Sequence, residues 1–121
     1  MAYDEQLSGR LREVLAGREG ISERRMFGGL MFLQHGNLVC GVMGETLLLR
    51  LGEEQATAAL AEPHVRPMEM ARRPSRSTVY VEPAACAGDV ELRGWVERAL
   101  GFVATLPAKE SGSDSGGGTM R

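Results

Sequence analysis

A double glycine between two apolar runs, in Arg25-Met26-Phe27-Gly28-Gly29-Leu30-Met31-Phe32, constrains this chain more than any other stretch. Glycines in a strand-forming context have no side chain to pack. They are tolerated where the backbone bends, bulges or comes close to another group. Arg24 to Gln34 therefore reads as one strand, bent or bulged at Gly28-Gly29. His35-Gly36-Asn37 supplies the residues of a tight turn, and Leu38 to Met43 follows as a second strand. Gly44-Glu45 makes the next turn and Thr46 to Leu51 a third strand, so the region is an antiparallel meander.

Helices flank it. Leu7, Leu11, Val14 and Leu15 form one apolar face of a helix from Asp4 to Ala16, with Asp4 as its cap and Gly17 to end it. Gly20 to Glu23 reads as a connection. Glu53 to Ala61 predicts a short helix stopped by Pro63. Val65 to Met70 is a strand shortened by prolines, Arg72 to Ser77 a loop, and Thr78 to Glu82 a strand of β-branched and aromatic residues. Asp89 caps a last helix that presents Leu92, Val96, Ala99, Leu100 and Val103 on one face, with Trp95 beside them. The order α-β-β-β-α-β-β-α predicts an α+β two-layer domain with a five-stranded antiparallel sheet. Residues 1–106 form that domain, and residues 107–121 a flexible Gly/Ser-rich tail.

An antiparallel sheet with one wet face alternates apolar and polar residues. Leu30-Met31-Phe32-Leu33, Leu38-Val39-Cys40 and Leu47-Leu48-Leu49 do not alternate. Both faces of the meander want cover. A second copy of the chain, or another stable protein partner, would supply what the helices leave open.

Bulk properties narrow the classes. A 43% hydrophobic content is ample for a core, so no metal, disulfide or other cofactor is needed for folding. Cys40 and Cys86 lack CxxC spacing and a secretory context, which predicts reduced thiols, and His35 and His64 are not clustered with them as metal ligands. The first residues lack a signal-peptide pattern and no apolar run approaches membrane-spanning length, which predicts a cytoplasmic protein. A net charge of -2 and a pI near 5.7 argue against general nucleic-acid binding.

Charge is uneven, however. Arg66, Arg72, Arg73 and Arg76 fall close together with Glu69 against them, and Tyr80 follows. They are candidates for a patch that binds nucleic acid or an acidic protein surface, against the plainer reading of a solvated loop. Arg25 with Gly28 and Gly29 is a candidate anion cradle, against the plainer and favoured reading of a β-bulge. Tyr80 and Glu82 would share a sheet face. Met26, Met31, Met43, Met68 and Met70 would form either an adaptable binding surface or core filler, and Cys40 inert packing. No set of residues declares a reaction, so no catalytic role is assigned.

Met26-Phe27-Gly28-Gly29-Leu30, Gly41-Val42-Met43-Gly44, Leu47-Leu48-Leu49-Arg50, Arg66-Pro67-Met68, Val79-Tyr80-Val81-Glu82-Pro83 and Trp95-Val96 occur in an order that resembles the N-terminal domain of the TfoX/Sxy competence regulators. The resemblance implies an architecture similar to that of type III secretion chaperones, which are dimeric protein-binding modules. It also implies a non-enzymatic regulatory or adaptor role, and brings no catalytic residue. Well-known members carry a second, C-terminal domain; here the chain runs into the Gly/Ser-rich stretch, so a role that depends on such a domain is not implied.

Overall fold

The computed structural model describes residues 3–26, 28–70 and 73–108, with the side chains of all of these except 69, 70, 73 and 74. Asp4 caps the first helix, α1 (Glu5–Leu15): its carboxylate accepts from the backbone N–H of Gln6 at 2.9 Å and of Leu7 at 3.3 Å. Four strands follow, β1 (Ile21–Met26), β2 (Gly29–Gln34), β3 (Asn37–Met43) and β4 (Thr46–Arg50). The helix α2 (Glu53–Ala59) leads to β5 (Val65–Met70) and β6 (Arg73–Val81). A 3-10 turn at Pro83–Ala85 precedes α3 (Asp89–Val103).

The fold is α+β, with an antiparallel sheet and three helices. The sheet has six strands in the order β1-β2-β3-β4-β6-β5, one more than the sequence reading gave. The extra strand comes from the double glycine. Gly28 adopts φ 78° and Met26 pairs with Gly29, so the chain reverses there and the segment expected to be one bent strand is a hairpin. Ile21 to Arg25, which includes most of the expected connection, forms the outer strand of that hairpin. The segment expected as a loop before Thr78 is also ladder, since β6 begins at Arg73. Ser75 Oγ accepts from the N–H groups of Ser77 at 3.3 Å and Thr78 at 3.2 Å, where the pairing of β5 with β6 shifts register. Gly88, not Asp89, occupies the cap position of α3, and Asp89 is the first helical residue.

A bulge exists, but in β3. Phe32 pairs with Cys40 and Leu33 with Leu38, which leaves Val39 as the extra residue. A bulge turns consecutive side chains the same way, and both Val39 and Cys40 enter the cluster shared with the helices. All three helices pack on that one side of the sheet. Leu11 of α1, Ala56 of α2 and Trp95 and Val96 of α3 meet Phe32, Val42, Leu47, Leu49, Val79 and Val81 there. The intervening strand residues Met31, Leu33 and Leu48, with Met68 of β5, form a separate cluster on the opposite side. The helices therefore cover one face and none of the other cluster's members belongs to a helix.

Both chain ends described are fastened to β3. Tyr3 makes a bridge with Gly44, just past its last residue, and Asp4 N–H donates to the Gly44 carbonyl at 2.7 Å. At the other end buried Asn37 donates its amide to the Pro107 carbonyl at 2.9 Å. The His35-Gly36 turn, with φ of 51° and 83°, is held by His35 N–H donating to Gly20 at 2.8 Å.

Glycines differ in what they permit. A Cβ on Gly94, in α3, meets nothing within 4 Å, whereas one on Gly41 would collide with Met31 Sδ and approach the Leu30 carbonyl at 2.9 Å. Gly94→Ala is expected to raise stability by about 0.5–1 kcal/mol, and Gly41→Ala to lower it by about 1–3 kcal/mol through overpacking. Urea unfolding of the two variants checks both signs.

Candidate functional site

Two of the candidate arginines, Arg25 and Arg66, do not converge. Arg25 is on β1 and Arg66 on β5, the two outer strands of the sheet. At about 4.8 Å per strand the separation is on the order of 24 Å. They also belong to opposite faces, because Arg25 pairs with Leu30 of the helix-side cluster and Arg66 pairs with Tyr80 of the other. Arg72 lies outside the described residues, as does the side chain of Arg73. Arg76 is exposed and reaches Glu53 at 3.7 Å, a contact between two well-solvated groups that contributes about 0–1 kcal/mol.

Arg66 and Tyr80 do meet. The guanidinium lies over the Tyr80 ring, 4.8 Å from its centroid, and its Nε donates to the Glu82 carboxylate. Tyr80 and Glu82 share a face as their spacing requires, with Arg66 between them. The cation that would attract a phosphate is thus already stacked and ion-paired within the chain.

Gly28 and Gly29 serve a hairpin. Gly29 is buried, and a Cβ on it would collide with the Val42 carbonyl and come within 3.2 Å of Met43 Sδ. The glycine is needed for close approach of β3, not for an open cradle. Clefts lie elsewhere. One of about 530 Å³ runs between the start of α2 and α3, beside Gly52, Glu97 and Phe102, and one of about 640 Å³ lies between α2 and β5–β6, beside Leu60, Pro67 and Arg76. Among the described residues no three His, Cys, Asp or Glu side chains gather as a metal site requires.

The methionines do gather. Met31 and Met68 are buried on the helix-free face with Leu33 and Leu48, and Met26, Leu38, Met43 and Tyr80 pack around them, each half-buried. The helix-side cluster contains no methionine among its buried members. Every methionine whose side chain is described therefore lies on one face. The sequence lists four of these methionines, but not that Leu38, Leu48 and Tyr80 join them or that Gly41 and Gly29 seat the thioethers of Met31 and Met43. Period-two parity carries that signal once the Val39 bulge is known.

The pattern of the TfoX N-terminal domain matches residues 13–103. The chain belongs to the TfoX N-terminal domain family. No curated protein and no solved structure matches it. In this TfoX-type domain no described helix is long and apolar enough to cross a membrane.

Three ionisable sites on the helix side complete the electrostatics. Arg12 of α1 forks onto Glu23 of β1 at 2.7 and 3.0 Å, and that hydrogen bond holds the Glu23 carboxyl below its ordinary value. The outer strand is thereby fastened to α1. Cys40, fully buried, has its thiol pushed up to about 12 by desolvation. Cys86 is also raised by burial, with Arg10 opposing, and its Sγ faces the Glu82 carbonyl at 3.6 Å.

Burial favours the protonated Cys40 thiol in the folded state. Its contribution is complete below the ordinary thiol value of about 8.5 and is lost as pH rises toward about 12. Iodoacetamide at mildly alkaline pH is expected to leave Cys40 unlabelled in the native protein and to label it at once in urea, as peptide mass spectrometry reads. Glu23 gives the opposite limb: its contribution is present above the ordinary carboxylate range and fades as pH falls. Glu23→Gln is therefore expected to flatten the acid side of the stability profile.

Proposed function

We propose that this TfoX N-terminal domain is a non-enzymatic, cytoplasmic adaptor that works by binding protein through the helix-free face of its sheet, with a second copy of the chain as the first partner. The segregation of Met26, Met31, Met43 and Met68 onto that face carries the reading. Methionine is unbranched and polarisable, so a surface built from it repacks against partners of different shape. Membership of the family fits a regulatory or adaptor-like role. Arg24 and Arg66 stand on the outer strands of the same face, and an interface of ordinary size, about 800 Å² per partner, would extend over them and acquire a polar rim. The commitment of Arg66 to Glu82 and Tyr80 supports protein over nucleic acid as the partner.

Association is read by light scattering across a concentration series, with cross-linking as a second measure. Replacing Met43 by Asp removes an apolar contact of about 1.5–3 kcal/mol, so dimerisation is expected to weaken roughly ten- to hundred-fold. Val90→Asp, at an exposed site on α3, is expected to leave it unchanged. A wild-type protein that stays monomeric at every concentration would overturn self-association. Binding to duplex DNA that weakens steeply with salt would overturn the protein-interaction reading.

A further inference from the structure

The methionine face has an inner and an outer part. Met31 and Met68 are 0% and 4% exposed, while Met26 and Met43 are half-buried at the margin. Gly29 gives Met43 its seat: the sulfur lies so near that backbone that even a Cβ on Gly29 would approach it to 3.2 Å. Leu38 and Tyr80 complete the margin. No helix residue belongs to this cluster, so the outer thioethers take part in closing it.

We propose that this face responds to peroxide, with Met26 and Met43 oxidised before Met31 and Met68 and opening of the inner cluster as the result. The thioether sulfur attacks one peroxide oxygen and the O–O bond breaks. An S–O bond forms, sulfur loses two electrons, and the other oxygen departs as hydroxide that takes the proton of the transferred oxygen and leaves as water. The product sulfoxide is polar and strongly hydrogen-bonding, so it disrupts methionine-rich packing. At Met43 the sulfur lies beside Gly29, which leaves little room on its inward side. The new oxygen must turn to water and draw the side chain off the sheet. Met31 and Leu48 are then uncovered, and Met31 becomes the next thioether within reach. The helix-side core, whose buried members include no methionine, is untouched by this chemistry. This goes beyond the adaptor reading and concerns the unassociated chain, so it is read below the concentration at which copies would pair over this face.

The test is graded hydrogen peroxide on the purified chain, with sulfoxide measured at each methionine by peptide mass spectrometry and apolar exposure by a hydrophobic dye. Met26 and Met43 are expected to oxidise before Met31 and Met68, with a several-fold rise in dye fluorescence that tracks the first pair. A Met26→Leu, Met43→Leu double variant keeps volume and apolarity but offers no outer sulfur. It is expected to lose the early dye response and to delay oxidation of Met31. Equal rates at all four positions, or early oxidation with no change in dye, would overturn the proposal, as would an undiminished response in the double variant. A protein that passes this test yet stays monomeric would leave the oxidation response standing and remove self-association.

Discussion

Strands β2, β3 and β4 are apolar on both sides, and the rest of the molecule is arranged around that fact. Three helices supply cover for one side only. They bring branched and aromatic groups, Leu11, Val96 and Trp95 among them, against Phe32, Val42 and Leu49. Among the described residues, the other side is closed by side chains of the strands themselves. That is possible because Gly29 and Gly41 leave room for sulfur to lie flat on the ladder. Methionine and leucine bury comparable apolar area, so strength of burial does not explain the different compositions. Conformational freedom does: one side is held in a single arrangement by shaped groups, and the other by groups that rearrange at little cost.

The helices were legible because their spacing is a direct record of burial. Leu7, Leu11, Val14 and Leu15 are all buried, and so are Leu92, Val96, Ala99, Leu100 and Val103 of α3. What was hidden lay where backbone pairing, not burial, decides structure. Ser22-Glu23-Arg24-Arg25 forms an outer strand whose side chains are exposed, so it leaves no apolar period to read. Arg73 to Ser77 extends β6 beyond the part that pairs with β4, held by its partner β5 and by Ser75. The glycine pair did signal an irregularity, but reversal and bulging require the same residues. The actual bulge at Val39 has no glycine to announce it.

The site was legible as a set of residues and not as a place. The methionines could be named from the chain, yet their convergence depends on strand order and on the one-residue shift in β3. Conversely, two of the arginines that look clustered in sequence are each engaged within the chain: Arg66 with Tyr80 and Glu82, Arg76 with Glu53. The sheet's margins also bear on how partners approach. Charged residues on β1 and Pro67 on β5 discourage addition of a foreign strand, which leaves the face as the place for the association proposed above.

The fastening of both described ends to opposite ends of β3 has a mechanical consequence. Seven residues of strand separate the Asn37–Pro107 contact from the Tyr3–Gly44 bridge, a span of about 24 Å at 3.4 Å per residue. Tension applied between the ends of the domain would therefore reach the central strand only through these few contacts. They carry the load before the ladder hydrogen bonds of β3 do, because the chain itself continues into α1 and out of α3. Pulling would thus strip the two ends from β3 first and leave the sheet beneath them intact.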